Sequence, residues 1–86
     1  MTMEKVEQTK IYETTDLALI SVLLLSLPDS LAAVDRSNPH RVVFRFKKSD
    51  KLDQLVSRFW GRKLKVEPRE FFDGIKIAKA RIYSEH

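Results

Sequence analysis

A chain of 86 residues with 43% hydrophobic and 33% charged side chains is long enough for one small globular domain, and its two glycines and three prolines argue against low complexity. The absence of cysteine excludes disulfides, thiolate metal sites and a cysteine nucleophile, and it is compatible with a cytoplasmic location. The net charge of +4 is uneven, because residues 1–40 carry a net −3 and residues 41–86 a net +7. Such asymmetry is typical of proteins that bind nucleic acid or another anionic surface.

The first eight residues show no periodicity, so the sequence predicts a disordered tail over residues 1–8 and a single α+β domain over residues 9–86. The charged N-terminus lacks the apolar segment of a signal peptide. The longest apolar run, residues 17–27, is shorter than the about 20 residues that span a membrane. We therefore expect a buried helix there and no membrane association.

The chain begins with a predicted strand over residues 9–13, too short to fix which face Tyr12 occupies. A helix should follow the start signals at residues 14–16 and end before Pro28, with a threonine as its N-cap. This helix is apolar nearly all round. We expect a sheet to cover one side and another helix or a partner chain to cover the other.

Residues 31–47 predict a β-hairpin whose four-residue loop is residues 37–40. In the second strand, residues 41–47, the alternation predicts that Val42, Phe44 and Phe46 face the core. Arg41, Val43, Arg45 and Lys47 should then face the other way.

A second helix is predicted over residues 50–60, with Ser49 as N-cap and Gly61 at the C′ position. Trp60 at its end is either part of the core, which the apolar stripe favours, or an interface anchor. Residues 64–66 predict a short edge strand. A third helix over residues 68–83 has an apolar stripe that can cover the first helix, and Gly74 within it marks either a close helix approach or a tolerated glycine.

The predicted element order is β-α-β-β-α-(β)-α. It indicates an α+β fold, a small antiparallel sheet with a β-hairpin packed against three helices. The first six elements match the ferredoxin-like split β-α-β order, with a C-terminal helix added. A less regular hairpin backed by three helices is the alternative.

Several strings resemble those of a known family. They are Tyr12-x-Thr14-x-Asp16-Leu17 before an apolar helix, Val-Val-Phe-x-Phe at residues 42–46, Leu-x-x-Leu-Val-x-x-Phe at residues 52–59, Val66-x-Pro68, Phe72, and residues 75–83. Together they resemble a family of small uncharacterised bacterial and phage domains over about residues 10–84. Its motifs mainly define a fold, so the resemblance implies no activity, cofactor or partner.

The sequence predicts no enzymatic activity. The two histidines, His40 and His86, have no serine partner at a suggestive spacing, and no phosphate-binding glycine motif or metal-ligand cluster appears. We therefore expect no cofactor, no metal and no small-molecule substrate.

The outward face of the predicted second hairpin strand is the first candidate site. Arg41, Arg45 and Lys47 should project together over roughly 13 Å, enough to follow two or three phosphates of a nucleic-acid strand. Tyr12 on the neighbouring strand could join them as a stacking ring. The alternative is an ordinary solvated sheet face.

A second basic cluster surrounds the end of the second helix. It comprises Arg58, Arg62, Lys63 and Lys65, with Arg69 beyond it. The leading interpretation is a small binding module for single-stranded or non-specific nucleic acid. The alternative is a homodimerising protein-interaction domain, because a second copy could cover the apolar first helix.

Overall fold

A computed structural model describes residues 10–83 and confirms the α+β fold and its element order. The predicted tail, residues 1–8, lies outside the described residues. The predicted edge strand at residues 64–66 is wrong, because residues 63–67 form an irregular connection. The strands are β1 (Ile11–Thr14), β2 (Leu31–Asp35) and β3 (Val43–Lys47); the helices are α1 (Leu17–Ser26), α2 (Asp50–Trp60) and α3 (Pro68–Ile82), with a 3-10 turn at Pro28–Ser30.

The three strands form one antiparallel sheet in the order β1-β3-β2. Because β1 and β2 both run antiparallel to β3, they are parallel to each other, and α1 connects them. This is the split β-α-β arrangement. The described residues lack the fourth strand of a ferredoxin-like sheet, and α3 follows α2 instead.

The hairpin of β2 and β3 is confirmed, but its loop is longer than predicted and covers residues 36–42. Asn38 closes the loop, since its side chain accepts a hydrogen bond from the His40 backbone and its carbonyl accepts one from the Arg41 backbone. Arg41 and Val42 therefore precede β3 instead of opening it. A β-bulge between Leu31 and Ala33 interrupts the register of β2.

The core lies between the sheet and the helices. Phe44 and Phe46 of β3 are fully buried, as predicted, and pack with Leu19 and Leu23 of α1. On the other side of α1 lies α3, whose Ala78 is also fully buried. The prediction that α1 is covered on both sides is confirmed, and both covers come from this chain.

The helix α3 approaches α1 closely at Gly74. A Cβ atom at this position would lie 2.9 Å from the backbone oxygen of Ser21 and 2.9 Å from two side-chain carbons of Leu25. The structure therefore favours the first of the two interpretations of Gly74, a close helix approach. This contact orients α3 so that its remaining faces meet solvent.

Each helix begins at a side-chain cap. Asp16, and not a threonine, caps α1 by accepting a hydrogen bond from the Leu19 backbone at 3.0 Å. Ser49 caps α2 as predicted, and Glu67 caps α3 with Pro68 at its first position. At the other end of α3, the Arg36 guanidinium donates to the Arg81 carbonyl, which ties the hairpin loop to this helix.

Candidate nucleic-acid interface

The sheet face opposite the helices is open to solvent and carries Arg45 at its centre. The register places Glu13 of β1 and Ala33 of β2 on either side of Arg45. The Arg45 Nε atom lies 2.6 Å from a Glu13 oxygen, and its Nη2 atom lies 3.2 Å from an Asp35 oxygen. Two carboxylates therefore neutralise the central cation of the predicted row.

The contacts of this cluster shift the pKa values of Arg45 and Asp35. The hydrogen bond to Glu13 raises the pKa of Arg45 above its usual value. Hydrogen bonds from Ser37, with a further contribution from Arg45, hold the pKa of the Asp35 carboxyl below its usual value. Because both carboxylates contact the guanidinium, Arg45 meets a phosphate only in competition with Glu13 and Asp35.

The other two cations of this row lie at opposite ends of the face. Lys47 is exposed and pairs in register with Ile11 at one end. Arg41 lies in the hairpin loop at the other end, where it lines a shallow depression of about 450 Å³ together with the acidic residues Glu13 and Asp16. The structure thus separates Arg41 and Lys47 by a neutralised centre and does not form one continuous cationic row.

Tyr12 does not join this face. Its register partner is the buried Phe46, and its ring packs against the core, with the Lys48 Nζ atom 6.0 Å from the ring centre. The hypothesis that Tyr12 supplies a stacking ring beside Arg45 is therefore wrong. Because β1 has only four residues, its pairing with β3 decides which face Tyr12 occupies.

The second cluster lies at the end of α2, where the chain reverses. Gly61 is the C-cap with φ −81°, so the predicted C′ role of this glycine is wrong. Arg62 takes the left-handed position instead, with φ 60°. The backbone N–H of Arg62 donates to the Phe59 carbonyl and that of Lys63 to the Arg58 carbonyl, the pattern of a Schellman motif.

An arginine in the left-handed region is unusual, because a side chain there costs roughly 1–2 kcal/mol that glycine avoids. Arg62 also lines an apolar depression of about 310 Å³ beside Phe59 and Phe71. The methylene groups of the Arg62 side chain cover part of this apolar surface, while the residue as a whole stays exposed.

The cations of the second cluster are exposed, and none forms an ion pair within residues 10–83. They differ in their surroundings. Arg58 lies in the last turn of α2, where it also offsets the negative end of the helix dipole. Lys65 shares a depression with the carboxylates of Glu67 and Glu70. Lys63 follows directly on Arg62 and lines none of these depressions.

Trp60 is 58% exposed, so the prediction that it belongs to the core is wrong. Its ring meets the Phe59 ring edge to face at 5.0 Å between centroids. The core side of α2 is occupied by Leu52, Leu55 and Phe59, and Trp60 lies at the margin of that stripe.

Residues 10–83 hold neither a cluster of metal-ligating side chains nor a membrane-spanning helix. In the part of the chain that the structure describes, no group of three or more histidine, aspartate or glutamate side chains could hold a metal ion. His40 lies exposed in the hairpin loop. No helix within residues 10–83 is both long and apolar enough to cross a membrane.

The fold and these surfaces define a small α+β domain with a split β-α-β sheet and exposed cations at the end of its second helix. By sequence, the chain belongs to the family described as Domain of unknown function (DUF5659), which it matches over residues 9–84. This confirms the resemblance to a family of uncharacterised domains. Comparisons with curated proteins and with solved structures found no match.

Proposed function

We propose that this domain is a small non-enzymatic binding module for single-stranded or non-specific nucleic acid, acting in the cytoplasm of a bacterium or of a phage-infected cell. The observation that carries the proposal is the exposed cluster at the end of α2. Arg58, Arg62, Lys63 and Lys65 lie within eight residues of chain, and none is ion-paired within residues 10–83. Unpaired cations of this density attract phosphates and release the counterions bound to them.

The strain at Arg62 supports the same proposal. Glycine would relieve the left-handed backbone at this position, so the arginine is retained at a cost in stability. A contact with an anion gives the side chain a role that offsets this cost. If three or four cations meet phosphates, the logarithm of the binding constant should fall with the logarithm of salt at a slope of about −2 to −3 for a single strand and about −3 to −4 for a duplex.

The sheet face contributes less in this account than the sequence alone predicts. Arg41 and Lys47 remain available to phosphates, whereas Arg45 has to leave Glu13 or Asp35 before it can bind one. Replacing Arg45 alone should therefore change affinity less than replacing Lys47 alone. If affinity depended only on the total positive charge of the domain, the two replacements would weaken binding equally.

Fluorescence anisotropy with labelled single-stranded and duplex DNA and RNA, at roughly 50 and 200 mM salt, tests the proposal. The variant K63Q/K65Q should weaken binding and reduce the salt slope. The variant K10Q/R81Q removes the same charge from exposed positions elsewhere and is the matched control. The triple variant R41S/R45S/K47S tests the sheet face. Equal loss in K63Q/K65Q and its control would show that no particular cluster is used.

Homodimerisation is the second candidate, and the exposed Trp60 favours it. The apolar surface of α1 does not require a second copy, because α3 and the sheet of the same chain cover it. An indole that is 58% exposed beside Phe59 is a suitable anchor for a second copy. Sedimentation velocity at rising protein concentration should then show a dimer that W60S abolishes. A monomer throughout would remove this candidate.

A further inference from the structure

The helix α3 carries a second stripe of side chains that neither cluster includes. Phe72, Lys76, Lys79 and the C-cap residue Tyr83 lie at i, i+4, i+7 and i+11, so they fall within an arc of about 60° around the axis of α3. Each follows directly on a member of the inward stripe, which comprises Phe71, Ile75, Ala78 and Ile82. The second stripe is therefore rotated by about 100° from the packed side.

This stripe is exposed along its whole length. Phe72 is 63% and Tyr83 is 74% exposed, and both lysines are exposed. Arg69, one turn before Phe72, extends the same flank. Ion pairs within residues 10–83 involve none of these three cations.

Of the acidic residues of α3, Glu70 lies away from the stripe and Asp73 lies at its edge. Glu70 and Asp73 fall about 100–160° from Phe72, together with Ile77. One flank of the helix thus combines three cations with two aromatic rings, and Asp73 borders it, about 40° from Arg69 and 60° from Lys76. A single exposed aromatic residue is common, but two rings that flank two lysines without an ion-pair partner in residues 10–83 suit a ligand that has both negative charges and flat rings.

The chemistry of the stripe selects a single strand over a duplex. Lysine and arginine bind phosphates in either case, but an aromatic ring gains a partner only from a base that is free to stack on it. The rings of Phe72 and Tyr83 are separated by eleven residues, about 16 Å along the helix. At about 3.4 Å for each nucleotide of a stacked strand, this distance corresponds to roughly five nucleotides.

We propose that the α3 stripe of Arg69, Phe72, Lys76, Lys79 and Tyr83 is a further contact surface, used for single-stranded nucleic acid in addition to the cluster at the end of α2. The cations hold the phosphates and the two rings stack on bases. The inference rests on the proposed function and names the surface and the strand state that it uses. It also supplies the aromatic rings that the sheet lacks, since Tyr12 packs inward.

Anisotropy with a labelled ten-nucleotide oligo-dT and a duplex of equal length tests this surface at roughly 50 mM salt. The variant F72L/Y83L keeps apolar side chains but removes both rings. It should weaken single-strand binding at least fivefold for each ring and leave duplex binding unchanged. The variant K76Q/K79Q should weaken binding to both and reduce the single-strand salt slope by about 1.4.

The variant K10Q/R81Q is the control, because it removes equal charge and Arg81 lies on the opposite side of the same helix. If the wild type binds oligo-dT and F72L/Y83L binds it equally well, the α3 surface is overturned while the proposed function stands. If the wild type binds no oligonucleotide at this salt, the proposed function itself fails. Binding to phosphatidylserine vesicles in place of oligo-dT would also overturn the proposal.

Discussion

Replacing Gly74 with alanine tests the packing that orients α3. In an exposed helix interior this change stabilises a protein by about 1 kcal/mol, because alanine has the higher helix propensity. Here the new Cβ atom would lie 2.9 Å from the Ser21 backbone oxygen and 2.9 Å from the Leu25 side chain. Helix propensity therefore predicts that Gly74→Ala stabilises the fold, whereas packing predicts that it destabilises the fold.

The two clashes differ in how easily they are relieved. Leu25 is half-buried and can rotate away, whereas the Ser21 oxygen belongs to the backbone of the buried helix α1. The helices must therefore move apart by a few tenths of an ångström. Overpacking of this kind costs about 1–3 kcal/mol, which exceeds the gain in propensity. We expect Gly74→Ala to lower the free energy of unfolding by about 1 kcal/mol.

Urea unfolding followed by circular dichroism measures this change. Ala80→Gly, at an exposed position of the same helix, calibrates propensity and should lower stability by about 1 kcal/mol. Adding Leu25→Ala to Gly74→Ala should relieve the side-chain clash but not the backbone clash. If Gly74→Ala raised the free energy of unfolding, the close approach of α1 and α3 would be refuted.

Three further predictions concern individual side chains. Arg62→Gly should raise the free energy of unfolding by about 0.5–1 kcal/mol, because glycine adopts φ 60° without strain; a lower stability in urea would contradict this. Phe44→Ala should lower the free energy of unfolding by about 3–5 kcal/mol because the ring is fully buried. Phe72→Ala should change it by less than about 0.5 kcal/mol because that ring is exposed. Similar losses in the two variants would show that Phe44 is not buried in the core. The pKa of Asp35 is below its usual 3.8, so its ionised form stabilises the fold above about pH 4, and this stabilisation is lost as the pH falls through the lowered pKa. Asp35→Asn should therefore reduce the loss of stability between about pH 4 and pH 2, and an unchanged acid profile would count against its hydrogen bonds.

Much of the fold follows from periodicity and end signals in the sequence. The alternation in β3 identified Phe44 and Phe46 as core residues, and both are fully buried. The all-apolar α1 required covers on two sides, and the sheet and α3 provide them. Ser49 and Pro68 marked the starts of α2 and α3 correctly.

The wrong predictions concern residues whose burial or charge pairing depends on tertiary contacts. Tyr12 belongs to a strand of four residues, and only pairing with β3 shows that it faces inward. Glu13 and Asp35 neutralise Arg45 only because β3 lies between β1 and β2, an order that the alternation does not contain. Trp60 lies at the margin of a stripe, where burial depends on what is packed beside the helix end.

The stripe on α3 could have been found from the sequence by reading both sides of the helix. The periodicity predicts the inward stripe, and Lys76 and Lys79, three residues apart, share a side of the helix next to it. Phe72 and Tyr83 extend that side at the same spacing. Their exposure, however, depends on how Gly74 and Ala78 fix the rotation of α3 against α1.

The most direct test of nucleic-acid binding is the anisotropy of labelled oligo-dT with the wild-type domain between roughly 50 and 200 mM salt. We expect binding that weakens steeply with salt, at a log–log slope of about −2 to −3 for three or four phosphate contacts on a single strand. The absence of binding at the lowest salt, where charge attraction is strongest, would contradict it.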